Sequence, residues 1–177
     1  MKPISKLFFL LFLTLWLHKI LAAHGEIPDL IPIACDHTLH KDLCINNLES
    51  DPESMEAVDV HGLTTVAVKQ AALNATNIRN YITKLDEETS DEVVHQCLSD
   101  CFQNYEDAID QLDDCLNALQ SKRYEDVVTW VTAAMNDALT CDEGFKDHGR
   151  QSPLANLRNL FDPLCSIVLS LTNQLKQ

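Results

Sequence analysis

Cysteine is the residue type in this sequence with the most chemistry to offer. Seven cysteines occur in 177 residues, at positions 35, 44, 97, 101, 115, 141 and 165. In an oxidising compartment such residues form disulfides, whereas a thiol beside a histidine can act as a nucleophile. Because seven is odd, at least one cysteine is free or bonds another molecule.

Histidine could add metal binding or acid–base catalysis. His37 and His40 lie on a charged segment, but a metal site needs several convergent ligands, so we expect no metal there. A catalytic thiol would need His95 or His148 as its partner. The cysteines of the long segments instead fall on apolar stripes, and no glycine-rich phosphate loop or paired-carboxylate motif is present. We therefore expect a protein that is not an enzyme and uses no cofactor.

Four amphipathic segments must position these cysteines. Apolar residues recur three and four positions apart over about 59–85, 90–121, 124–144 and from Pro153 onward. The pattern Thr89-x-x-Glu92 predicts a capping box at the second segment. Mostly short connections predict an all-α fold, an up-down-up-down four-helix bundle. A small-molecule carrier with a cavity between the helices is an alternative, although the alanine- and leucine-rich stripes favour a tightly packed core.

The bundle constrains the disulfides. Cys35 and Cys44 enclose eight residues, and we expect this loop to close locally. The third segment runs back along the second, which places Cys101 within reach of Cys141. Bonded cysteines need Cα atoms about 5.5–6 Å apart.

Three cysteines remain after those two pairs. The fourth segment runs parallel to the second, which suggests Cys97 with Cys165 as an extra pair. This pairing leaves Cys115 as a buried free thiol that behaves as a small apolar side chain.

The N-terminus has the features of a signal peptide. Lys2 and Lys6 precede an apolar run of eleven residues, 7–17, which is shorter than the roughly 20 residues that span a membrane. Ala23-His24-Gly25 has the small-x-small form of a cleavage site. We expect a signal peptide over 1–23 and one domain over 24–177, with an N-terminal hairpin at about 32–49 and the bundle at about 57–176.

The charge of the chain limits its partners. The sequence has 13 Lys and Arg against 27 Asp and Glu, a formal net charge of −14. Three lysines and no acids lie in residues 1–23, so the mature chain carries −17. A surface this acidic argues against nucleic acid and favours a basic protein partner. After signal cleavage we expect no membrane association.

An ordered set of motifs resembles the plant invertase and pectin methylesterase inhibitor family over essentially the whole mature chain. The motifs are the Cys35…Cys44 hairpin, Leu48-Glu49-Ser50-Asp51-Pro52, Gly62-Leu63, Cys101…Tyr105-x-Asp107-Ala108, Thr140-Cys141-x-x-Gly144-Phe145 and a leucine-rich final helix. The resemblance implies a four-helix bundle with an N-terminal helical hairpin. It also implies disulfides at Cys35–Cys44 and Cys101–Cys141.

The resemblance further implies inhibition of an enzyme by binding. Some members block pectin methylesterase by docking over its substrate cleft, and others block acid invertase. Invertase inhibitors often carry Pro-Lys-Phe at the turn after the second long helix, where this chain has Lys122-Arg123-Tyr124. Together with Cys165, this difference favours the pectin methylesterase branch. We predict a secreted pectin methylesterase inhibitor of the apoplast (cell wall). Inhibition of acid invertase of the cell wall or vacuole is the alternative.

Polar residues on the outward helix faces are candidate contacts with a basic enzyme surface. They are Thr65, Lys69 and Thr76 on the first long helix and Gln103, Asp107, Asp110 and Asp114 on the second. Each could equally be an ordinary solvated helix position. Asn74-Ala75-Thr76 is an N-glycosylation sequon, so Asn74 is a candidate glycan site.

Overall fold

The computed structural model describes residues 29–176, so the predicted signal peptide lies outside the described residues. The described part is helical. In chain order its helices are α1 (Leu30–Cys35), α2 (Lys41–Glu49), α3 (Pro52–Glu56), α4 (Val60–Glu88), α5 (Glu92–Gln120), α6 (Tyr124–Asp147) and α7 (Ala155–Gln174). The four long helices α4–α7 form the expected up-down-up-down bundle. Helices α1 and α2 form the N-terminal helical hairpin, and the short α3 connects it to α4. The structure thus confirms the predicted fold class.

The apolar stripes of the long helices form the core. On α4 the stripe includes Ala67, Ala71 and Ala75, which are buried and let the neighbouring helices approach closely. On α5 it includes Tyr105, whose ring packs edge-on against Phe161 of α7 with the ring centroids 5.9 Å apart. Since α5 and α7 run in the same direction, this contact fixes their register across the core.

The start of α5 differs from the predicted capping box. Asp91 is the N-cap, and its Oδ1 accepts hydrogen bonds from the backbone N–H groups of Val93 and Val94 at 3.0 and 3.2 Å. Thr89 instead accepts one from the Asp91 N–H at 3.3 Å. A carboxylate at the N-cap also interacts favourably with the helix dipole, so Asp91 is the stronger cap. These bonds and Arg150 lower the pKa of Asp91.

Two helix ends adopt the same turn with different residues. After α6, Gly149 has φ +67°, and the N–H groups of Gly149 and Arg150 donate to carbonyls of the last helical turn, which is the Schellman pattern. After α5, Lys122 takes the glycine position with φ 54°. The left-handed region is unfavourable for a residue with a Cβ, so the three-residue turn into α6 carries a local conformational cost at Lys122.

The hairpin is attached to the bundle by hydrogen bonds. Ser170 and Gln174 of α7 donate to the backbone carbonyls of His37 and Ala34 at 3.0 and 2.8 Å. On the other side, Gln70 of α4 donates to the carbonyl of Asn47 at 3.0 Å. The hairpin therefore lies against α4 and the C-terminal part of α7.

Both disulfides that the sequence indicated are present. Cys35 is bonded to Cys44 with Cα atoms 5.7 Å apart, and Cys101 is bonded to Cys141 with Cα atoms 4.6 Å apart. The first closes the hairpin. The second joins α5 to α6.

The expected Cys97–Cys165 bond is not formed. Both cysteines are free and buried. The Tyr105–Phe161 contact explains the difference: relative to that level, Cys97 and Cys165 are about twelve residues apart along two parallel helices, or about 18 Å. Cys97 instead lies beside the Gly144 carbonyl, with Sγ at 3.9 Å. The fourth helix begins at Ala155 rather than at the predicted Pro153.

Candidate protein-binding surface

The outward face of α5 is the most strongly charged surface of a bundle helix. This helix contains seven carboxylates, Glu92, Asp100, Glu106, Asp107, Asp110, Asp113 and Asp114, and no lysine or arginine. The predicted contacts Gln103, Asp107, Asp110 and Asp114 are all exposed. Gln103 Nε2 donates to Asp107 Oδ1 at 3.1 Å, which orients that carboxylate. We call the surface formed by these four residues the α5 acidic face.

The inward side of α5 holds this face in place. Cys101 is bonded to α6, Tyr105 is fully buried against α7, and the Cys115 thiol donates to the Val127 carbonyl at 3.7 Å. Toward α4, Glu106 forms an ion pair with Arg79. All three long neighbours therefore contact α5, and the acidic face is presented on a helix with little freedom to move.

The acidic surface continues onto α6 through a residue that the sequence analysis missed. Asp137 accepts a hydrogen bond from Gln111 Nε2 at 2.7 Å. Burial raises the pKa of Asp137, and the nearby carboxylate of Asp107 raises it further, whereas the bond from Gln111 lowers it. Periodicity identified only the inward stripe of α6. It does not indicate which outward residue of α6 pairs with α5, so neither helix taken alone predicts the bond between Gln111 and Asp137.

A shallow cleft lies where α5 turns into α6. Its volume is about 250 Å³, and it is lined by Asp114, Asn117, Arg123, Asp126, Thr129 and Trp130. The guanidinium of Arg123 pairs with Asp126. Asp114, the last residue of the α5 acidic face, thus lines the same cleft as the Trp130 indole, and a carboxylate and an indole can each accept a cationic side chain.

The three predicted contacts on α4 are less available. Thr65 and Thr76 are half-buried, and each hydroxyl donates to the backbone carbonyl four residues earlier, at 3.0 and 2.9 Å. Lys69 is exposed, but its ammonium pairs with Glu53 of α3. These three side chains are thus engaged with α4 itself or with α3 rather than with the α5 acidic face.

The thiols and histidines do not assemble a reactive site. Burial raises the pKa of the Cys97, Cys115 and Cys165 thiols, which keeps them protonated and poorly nucleophilic. Within residues 29–176, no three His, Cys, Asp or Glu side chains come together in a way that could hold a metal ion. The same residues include no helix long and apolar enough to cross a bilayer.

An ion-pair cluster stabilises the boundary between α6 and α7. Arg158 Nε and Nη1 bond to Asp142 and Asp162 at 2.7 and 2.9 Å. Burial raises the pKa of Asp162, while Arg158 opposes this shift. Since Asp142 follows Cys141 directly, the cluster and the disulfide together fix α6 between α5 and α7.

Comparison with known proteins gives a consistent family assignment. The family model described as plant invertase/pectin methylesterase inhibitor matches residues 29–171. A pectinesterase inhibitor of Actinidia deliciosa is 32% identical over 149 residues, covering 82% of this chain and 79% of that protein. A Platanus orientalis protein proposed to be an invertase inhibitor is 29% identical over 135 residues, covering 76% of this chain and 79% of that protein.

Solved structures show the same fold. A mutant form of a pectin methylesterase inhibitor from Arabidopsis matches with a TM-score of 0.66 at 22% identity, covering 78% of this chain and 92% of that one. The family is named for inhibitor proteins, and the Actinidia relative is itself a pectinesterase inhibitor. The matched range, the hairpin, the bundle and the two disulfides lead to one conclusion: the chain belongs to the plant invertase/pectin methylesterase inhibitor family.

Proposed function

We propose that this protein is a secreted inhibitor of pectin methylesterase that binds the enzyme non-covalently, one to one, over its substrate cleft. The observation that carries the proposal is the α5 acidic face, which a rigid bundle presents without a lysine or arginine on the same helix. Residues 1–23 would direct the chain to the apoplast. Family membership supports an inhibitory role, and the Actinidia relative supports the choice of target.

Electrostatics and rigidity together explain how such an inhibitor would act. A net charge of −17 on the mature chain would attract a basic enzyme surface and increase the rate of encounter. Because α5 is held by a disulfide and by buried contacts, little conformational entropy is lost when it docks. Once bound, the bundle would exclude the polymeric substrate sterically. No inhibitor side chain has to take part in chemistry.

Acid invertase of the cell wall or vacuole is the second candidate target. The family includes invertase inhibitors, and the Platanus relative supports this choice. The α5–α6 turn of this chain, Lys122-Arg123-Tyr124, has no proline and thus departs from the Pro-Lys-Phe of many invertase inhibitors. That departure is the reason for placing pectin methylesterase first.

Charge reversal on α5 tests the proposed surface. The D107K/D110K variant should raise the inhibition constant against a plant pectin methylesterase about tenfold at low salt, since each exposed pair contributes roughly 0.2–1 kcal/mol. The difference should shrink as added salt screens the charges. Inhibition constants would be measured at several ionic strengths.

A matched control separates local from overall charge. Asp42 and Glu49 are exposed acids of α2 in the hairpin, so D42K/E49K changes the net charge equally at a different surface. We expect this control to inhibit almost as the natural chain does. Equal losses in both variants would assign the effect to net charge, and unchanged inhibition by D107K/D110K would remove α5 from the interface.

A further inference from the structure

An open groove between α4, α7 and the hairpin has a mixed polar and apolar lining. Its volume is about 390 Å³. Leu73 of α4 and Leu160 of α7 lie on its walls and are 60% and 43% exposed. Gln70 and Asp51 also line the groove, and Gln70 Nε2 donates to Asp51 Oδ2 at 3.2 Å. A groove lined by both exposed leucines and hydrogen-bonding groups suits a sugar ring, which has both kinds of surface.

Asn74 lines the same groove. It is the asparagine of Asn74-Ala75-Thr76, the only Asn-x-Ser/Thr sequon in the printed sequence. The side chain is half-buried, and its Oδ1 is enclosed without a hydrogen-bond partner among the described residues. The Nδ2 atom of the same amide is not among the enclosed polar atoms of the described residues that lack a partner. Nδ2 is the atom to which an N-linked glycan is attached.

We propose that Asn74 carries an N-linked glycan whose first N-acetylglucosamine lies in this groove. The donor class is an oligosaccharide joined to a lipid diphosphate. The bond between sugar C1 and the Asn74 nitrogen forms as the bond between C1 and the diphosphate oxygen breaks. The diphosphate leaves with the bonding electrons, and the amide nitrogen loses one proton. Transfer precedes folding, so the helical conformation of 74–76 in the folded chain does not prevent it.

A sugar in this groove would interact with both its apolar and its polar lining. Leu73 and Leu160 would be covered by the apolar face of the sugar, and the side chains around Gln70 and Asp51 would bind its hydroxyl groups. Asn74 projects toward α7, away from α5, so the glycan would leave the α5 acidic face open. The inference rests on the part of the proposed function that sends the chain through the secretory pathway.

Occupancy is tested by producing the full chain in plant cells and analysing medium and cell extract by intact mass and glycopeptide mapping. We expect one glycan on the secreted chain and on T76S, which keeps the sequon, and none on N74Q. A chain secreted without a glycan at Asn74 overturns this inference and leaves the inhibitor proposal intact. A chain that stays unglycosylated inside the cell overturns both this inference and the proposed secretion.

Placement in the groove is tested by thermal unfolding of the secreted glycoprotein. One sample is trimmed to the first sugar by an endoglycosidase, and a second is fully deglycosylated by an amidase. We expect the trimmed sample to melt about 2–4 °C higher than both the deglycosylated sample and N74Q, a shift readily measured for a domain of this size. The L73S/L160S variant, changed at exposed positions, should remain folded and lose that difference. Equal melting temperatures for trimmed and deglycosylated protein would overturn the placement.

Discussion

Replacing the Cys101–Cys141 disulfide with two alanines should lower the free energy of unfolding by about 4 kcal/mol. The bond closes a segment of 40 residues and joins α5 to α6 near the end where α5 begins. In the chain-entropy description, the loss grows with the logarithm of the closed loop. The same expression gives about 2.5 kcal/mol for Cys35–Cys44, whose separation is 9 residues. The contributions of the two disulfides to the free energy of unfolding should therefore differ by more than about 1 kcal/mol.

Packing has to be separated from cross-linking in this comparison. Cys101 and Cys141 are buried, so alanine also removes two sulfur atoms from the core. Cys115 is a fully buried free thiol on the same helix, and C115A measures the cost of removing one such sulfur without breaking a cross-link. Twice that cost, subtracted from the loss in C101A/C141A, leaves the contribution of the disulfide.

Urea unfolding followed by far-UV circular dichroism gives these free energies, and the melting temperature should fall by roughly 10 °C for C101A/C141A. The C35A/C44A variant should lose less. If C101A/C141A is no less stable than C35A/C44A after the C115A correction, the argument from loop closure is refuted. The α5 acidic face would then owe its rigidity to helix packing alone.

Three further predictions concern single positions, each checked by urea unfolding. D137N should be more stable than the natural chain at neutral pH by less than about 1 kcal/mol. The pKa of Asp137 is raised in the folded chain, so the natural chain loses stability as the pH rises through that pKa. The gain should vanish in acid, where position 137 is uncharged in both chains, and a gain that persists in acid would contradict this reasoning. R158M should cost about 2 kcal/mol at pH 7 and less once acid protonates Asp162, whose pKa is raised by burial. R150M, at an exposed pair, should cost little, and equal costs for the two variants would contradict the buried cluster. K122G should stabilise the chain by up to about 1 kcal/mol by relieving its positive φ, and a loss would show that the lysine side chain contributes more than the turn geometry.

Helical periodicity predicted the interior of each helix because the side chains that share a face are set by local geometry. Cys101, Tyr105 and Ala108 of α5 were assigned inward and Asp107 and Asp110 outward, and the structure places all five so. These assignments depend on one helix at a time.

Features that depend on two elements were harder to predict. The register of α7 against α5 is set by the Tyr105–Phe161 contact, and without it Cys165 was placed level with Cys97. At the start of α5, two residues that can cap lie two positions apart, and only the geometry shows that Asp91 prevails over Thr89.

The candidate surface shows the same division. The outward residues of α5 followed from its stripe, whereas Asp137 joins them only through Gln111 on the neighbouring helix. Likewise, the pairing of Lys69 with Glu53 depends on how α3 folds back on α4, which no local pattern encodes.

The central claim is that this bundle inhibits pectin methylesterase, and a parallel titration tests it most directly. The purified protein would be added to a plant pectin methylesterase and, separately, to an acid invertase, with the residual activity of each enzyme measured. We predict that pectin methylesterase activity falls to a plateau at one inhibitor per enzyme while invertase activity is unchanged. Inhibition of the invertase alone would contradict the account.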